Sequence, residues 1–136
     1  MFKFLLKISR IVPGISKVMK LLYCFDCPRR TKIGKNVTFL HNGIGCVIHP
    51  KTIIEDNVKI QHHVTIGVNR EGGISPHIKR NCSIGAYAII IGEITIGENC
   101  TIGAGCIVTK DIPDNTICYN KVDLVIKQKE NSLKWY

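Results

Sequence analysis

Histidine is the side chain whose ordinary charge change falls closest to neutral pH, and the chain holds five. One of them, His41, stands in "FLHNGIGCVIHP" beside Asn42 and two glycines, just where an apolar repeat begins. A structural histidine and a proton-accepting one demand different partners elsewhere in the sequence. In "QHHVTIG" His62 is a second candidate, whereas His63, like His49, is expected on an outward or corner position. Cys24 and Cys27 in "CFDC" have the spacing of half a zinc site, but no second pair completes it, and no metal is expected.

What positions these residues is a repeat. Ile48, Ile54, Ile60 and Ile66 step by six, and Ile84, Ile90, Ile96, Ile102 and Val108 step by six again. Two residues before each stand small or apolar residues: Cys46, Thr52, Val58, Val64, Cys82, Ala88, Ile94, Cys100 and Cys106. A period of six suits neither an α-helix nor a plain alternating strand. It suits a parallel β-helix of hexapeptides, in which three units close one triangular coil and glycine or asparagine turns the corners. The expected fold is an all-β, left-handed parallel β-helix with a short N-terminal helical segment and an extruded loop. The expected division is 1–25, 26–126 and a C-terminal tail 127–136. The repeat breaks between Ile66 and Ile84, and a protruding loop over 67–81 is expected there, of the kind that carries binding function. The register makes Cys46, Cys82, Cys100 and Cys106 core thiols and turns the triplets "NVT", "NCS" and "NCT" into corners.

The 136 residues suit one domain, and their net charge of +9 suggests a polyanionic partner. Nucleic acid is not expected: zinc-finger spacing, RNA-binding aromatic motifs and basic runs interleaved with aromatics are all missing. Residues 1–25 carry Lys3, Lys7, Arg10, Lys17 and Lys20 with no acid, among Phe2, Phe4, Leu5, Ile8, Ile11 and Val12. They are expected to form two short helices divided at Pro13 that cap the prism, either with that role alone or also docking on the inner face of an anionic membrane. With no cleavage signal, no spanning run and an odd cysteine count, a reducing cytoplasm is the expected setting.

The block "SIGAYAIIIGEITIGENCTIGAGCIVTKDIPDN", with "VTIG" and the Gly-rich loop before it, resembles the serine acetyltransferase branch of the hexapeptide acyltransferases. That branch includes acetyltransferases of capsule and surface-polysaccharide synthesis. The resemblance runs from about Asp26 to Ile126. It implies a homotrimer that moves acetyl from acetyl-CoA to a hydroxyl, with active sites between adjacent prisms. It implies that His41 is the general base and that Asp26, fifteen residues upstream, orients it. A hydroxyl is scarcely ionised at neutral pH, so such a base is worth roughly 10²–10⁴-fold in rate. The resemblance also places His62 against the acceptor or the thioester. It lines the CoA path with Gly67, Ala86 and Ala104, and offers Lys110 and Lys121 to the phosphates.

The chain departs from the pattern at several points. Leu40 stands where serine acetyltransferases carry an aspartate, and Ile74 and Ser75 stand where they carry arginine and histidine. His77 either compensates in the acceptor subsite or is a solvated loop residue. The closing motif reads "NKVDL", with Asn120 expected to take the positive φ of a glycine and Val122, Asp123 and Leu124 departing outright. The expected acceptor is therefore a hydroxyl of a sugar or glycan rather than free serine. Serine O-acetyltransferase and a non-catalytic trimerisation scaffold are the alternatives.

Overall fold

The computed structural model describes residues 1–9, 11–12, 14–121 and 126. Each hexapeptide contributes a strand of two or three residues and a corner. The strands are β1 (Lys32–Ile33), β2 (Thr38–Phe39), β3 (Val47–Ile48), β4 (Ile53–Ile54), β5 (Lys59–Ile60) and β6 (Thr65–Gly67). After the loop come β7 (His77–Ile78), β8 (Ser83–Ile84), β9 (Ile89–Ile91), β10 (Thr95–Ile96), β11 (Thr101–Ile102), β12 (Ile107–Val108) and β13 (Ile117–Cys118). Strands three apart pair in parallel, except that β13 follows β11 because the intervening turn makes only an isolated Ile96–Ile112 bridge, giving the orders β1-β4-β7-β10, β13-β11-β8-β5-β2 and β12-β9-β6-β3. The three sheets are the faces of a left-handed β-helix of about four coils.

The interior is the column of sixth residues. Ile48, Ile54, Ile60, Ile66, Ile84, Ile90, Ile96 and Ile102 are buried, each with its small or apolar partner two residues earlier. Such burial is worth about 1.5–3 kcal/mol per aliphatic side chain before conformational entropy is charged against it. The four predicted core cysteines are buried, and no disulfide joins any of the seven cysteines. One corner column is asparagine: Asn36, Asn57, Asn81, Asn99 and Asn115 all take positive φ. The Asn36 and Asn57 amides donate to Asn57 and Asn81 at 3.1 Å, and the Asn99 amide to Asn115 at 2.9 Å. The three glycosylation-like triplets begin on this ladder.

Two findings correct the reading of the repeat. The extruded loop spans 68–76 rather than 67–81, because Ile78 lies two hexapeptides past Ile66 and returns in phase. Ile78 is fully buried in β7, between Ile54 and Ile96. The repeat is also broken a second time, between Phe39 and Ile48, which stand nine residues apart rather than six. The three surplus residues are His41, Asn42 and Gly43. Past them Ile44 rejoins the ladder, its carbonyl accepting from His63 N–H as the His62 carbonyl accepts from Tyr87 N–H one coil on.

The N-terminal segment forms α1 (Phe2–Ser9) and α2 (Ile15–Tyr23), with Pro13 and Arg10 outside the described residues. Phe2 and Met19 are buried. Phe2 packs edge-on against Tyr23 and Phe25 at 5.3 and 5.2 Å, and Phe25 against Phe39 at 5.0 Å, an aromatic plug on the first coil. No described helix is long and apolar enough to cross a membrane. The tail 127–136 and Val122, Asp123 and Leu124 lie outside the described residues.

Candidate active site

His41 owes its position to the surplus residues. His41, Asn42 and Gly43 are left-handed in succession, with φ of 51°, 56° and 63°, which lifts the imidazole onto an exposed corner between β2 and β3. Left-handed backbone is costly for a side chain other than glycine or asparagine, and such strain gathers at functional sites. Gly43 is required twice over, since a Cβ there would stand 2.6 Å from the Phe25 ring.

Around His41 the corner holds a cluster of rings. His62, one coil on, meets His41 edge to face with centroids 5.0 Å apart. It also touches His63 at 5.6 Å and Tyr87 at 5.4 Å. His62 Nδ1 is buried with no hydrogen-bond partner, an arrangement that costs free energy unless a ligand or a rearrangement satisfies it. Ala86 and Ala104 continue the same corner in the following coils. A groove of about 320 Å³ runs from Leu40 past Gln61, Ser83, Gly85 and Gly103 to Ala104.

The other expected site residues lie apart from this cluster. Asp26 sits on the face of β3, bridged to Val47, and its carboxylate pairs with Lys20 Nζ at 2.6 Å. Among the described residues no hydrogen bond joins it to His41. Gly67 lies beside Asp26 in a second groove of about 310 Å³, with Pro28, His49 and Thr65. Lys110 follows β12 on the corner that Gly67 begins, and Lys121 follows β13; both are exposed. Ser75 faces inward instead of toward an acceptor, 7% exposed, its hydroxyl 2.6 Å from that of Thr52. His77 is neither free in solvent nor near His41: it occupies β7 on another face, with Nε2 2.7 Å from Glu55 Oε1. Asn120 does not take positive φ; its amide donates to the Gly105 carbonyl at 3.4 Å. Tyr87 is a member of the cluster that sequence reading missed, although a tyrosine on a corner that Gly105 turns one coil on was a usable signal.

Residues 75–110 match the family model described as bacterial transferase hexapeptide (six repeats). Over 114 residues the chain is 40% identical to the chloroplastic serine acetyltransferase 1 of Arabidopsis thaliana, covering 82% of this chain and 36% of that protein. Over 101 residues it is 34% identical to a putative colanic acid biosynthesis acetyltransferase of Escherichia coli K12, covering 74% of this chain and 62% of that one. Among solved structures, serine acetyltransferase isoform 3 of Entamoeba histolytica in complex with cysteine matches with a TM-score of 0.81 at 26% identity. That match covers 96% of this chain and 50% of that one. The chain thus spans between 36% and 62% of the length of these relatives. Hexapeptide periodicity, three-sided coils and these likenesses agree: the chain carries a hexapeptide-repeat β-helix similar to the one these acetyltransferases share.

Proposed function

We propose that the chain is an acetyl-CoA-dependent O-acetyltransferase whose acceptor is a hydroxyl of a sugar or glycan in surface-polysaccharide synthesis. The observation that carries this reading is His41, raised on a three-residue left-handed insertion and exposed next to Leu40, which lines a groove. His41 accepts the proton of the acceptor hydroxyl as its oxygen attacks the thioester carbonyl. The tetrahedral adduct then expels the CoA thiolate, which takes the proton back from the imidazolium, so no covalent enzyme intermediate is needed. Asp26 orients the imidazole, exchanging its contact with Lys20 to do so. Gly67, Ala86 and Ala104 leave room for the CoA arm, and Lys110 and Lys121 meet its phosphates.

The acceptor reading rests on the positions where the resemblance would expect charged or polar partners for serine. Leu40 offers no charge, Ile74 is exposed and apolar, and the Ser75 hydroxyl is spent on Thr52. None of them holds an amino acid's ammonium and carboxylate. Likeness to serine acetyltransferases favours serine as the second reading.

The working form is a homotrimer in the cytoplasm, lodged at the inner face of the membrane. Val47 and Ile107 point outward from one face at 46% and 58% exposure, an apolar strip suited to a second copy. On the helices Phe4, Val18, Leu21 and Leu22 remain exposed beside Lys3, Lys7, Lys17 and Lys20, surplus to capping. The test is thiol release from acetyl-CoA across serine, free sugars, nucleotide sugars and lipid-linked glycans, with light scattering for mass. Transfer to sugars by a trimer is the expected result. Efficient transfer to serine alone, or a monomer at micromolar concentration, would overturn it.

A further inference from the structure

Along the corner that carries His62, the left-handed position of successive coils is filled by Gly45, His63, Tyr87 and Gly105, with φ of 70°, 55°, 59° and 66°. Glycine is the residue that backbone favours, and a bulky ring there is an outlier that points to a use. The two rings are not splayed. His63 and Tyr87 lie parallel within 11°, centroids 4.7 Å apart. Gly45 makes the stack possible, because a Cβ at that position would collide with His63 Nδ1. The rings therefore lean toward the first coil, and the space beyond the stack is open: a Cβ on Gly105 would meet nothing within 4 Å. Tyr87 is 57% exposed, with His63 against one face.

We infer that the His63–Tyr87 stack is the wall on which the acceptor's sugar ring lies, its open phenol face covering the apolar face of a pyranose. An aromatic face carries the negative part of the ring quadrupole, which attracts polarised C–H groups and sheds water from a flat patch. A pyranose presents such C–H groups on one side and keeps its hydroxyls at the rim. The position assigns the occupant. His62 spans the gap between Tyr87 and His41, at 5.4 and 5.0 Å, so the open face is two ring contacts from the proposed base. The adenine of CoA is held a full pantetheine arm from the thioester that such a base serves, and it is too distant to be the group that stacks here. The inference rests on reading His41 as the base of an O-acetyl transfer.

The test uses the full chain, with methyl β-D-galactopyranoside and methyl β-D-glucopyranoside as probes in saturation-transfer NMR. Acetyl transfer to the same probes is assayed in parallel. The wild type should saturate the ring C–H protons of at least one probe, and Tyr87→Phe should preserve the effect. Tyr87→Gly should weaken binding about tenfold, the scale of one aromatic contact. It should not lower the melting temperature, since glycine suits φ 59° better than tyrosine. Equal saturation in the wild type and Tyr87→Gly, or none from either probe in the wild type, would overturn the inference. So would loss of signal only in step with loss of melting temperature and oligomer, which marks a purely structural ring. Tyr87-dependent binding of a sugar that is never acetylated would leave the subsite standing and remove the transferase reading instead.

Discussion

The imidazoles of His41 and His62 meet at 89°, ring centroids 5.0 Å apart, although they belong to different coils. The side chain touching the proposed base is therefore a second histidine, while Asp26 is engaged by Lys20. His62 fixes the plane of His41 by packing. Asp26, proposed to orient that imidazole, makes its described side-chain contact with Lys20 instead.

His41→Ala should lower kcat at least about 10²-fold, the minimum expected of a general base, while calorimetry finds acetyl-CoA binding near the wild-type level. Retention of more than roughly a tenth of wild-type kcat would assign the base elsewhere. Asp26→Asn should slow turnover less severely, because it removes an orienting group and not the proton acceptor.

Free serine should be a poor acceptor, since Leu40, Ile74 and the inward Ser75 supply no partner for its charged groups. A site without such contacts forfeits several kcal/mol of discrimination. Saturable serine acetylation with kcat/KM near ~10⁵ M⁻¹s⁻¹, within the ordinary enzyme range, would promote the second reading.

Alkaline pH should loosen the prism from inside. Burial pushes the Cys82 thiol from an ordinary 9.0 up to about 11. Cys106, packed on Cys118 at 3.6 Å, is also pushed up to about 11, again chiefly by burial. The unfolded chain ionises these thiols near 9 and the folded chain only near 11. Their contribution to stability is thus complete below pH 9 and lost as pH rises toward 11. The melting temperature should fall across that window, with a shallower slope in Cys82→Ala. An unchanged slope would refute the assignment. Exposed Cys24 should be the thiol that reacts fastest with a disulfide reagent at pH 8.

Liposome flotation should recover the protein with anionic vesicles at low salt and less at physiological salt. Each lysine near such a surface contributes about 1 kcal/mol, and Lys3, Lys7, Lys17 and Lys20 are all exposed. Equal absence from anionic and neutral vesicles at low salt would leave the helices with their capping role alone.

The six-residue period made the architecture legible because only one fold puts every sixth side chain inside. It also placed the core cysteines and corner asparagines. What it hid were changes that preserve phase or lie outside it. The loop removed one visible hexapeptide, so the return at Ile78 was overlooked, and the insertion at His41 precedes the regular run. The site was less legible for a different reason. His41 and His62 were nameable as residues, but their contact depends on how far a left-handed insertion swings a ring. Ser75 and His77 were placed by loop alignment, and a loop's direction, inward to Thr52 or across to Glu55, is decided by packing that no spacing encodes.

The plug of Phe2, Phe25 and Phe39 bears on how copies of this chain avoid one another. A β-helix ends in rows of unpaired backbone N–H and C=O groups, which invite another chain to continue the coil. Here α1 and its aromatic anchor lie over the rim of β1 and β2, with Lys3, Leu6 and Lys7 lining a hollow against Ile33 and Asn36. That end is denied to fibre growth, and a charged helix is offered in place of a sticky edge. Trimming residues 1–25 would therefore do more than remove a cap: it would turn the first coil into a template for end-to-end aggregation.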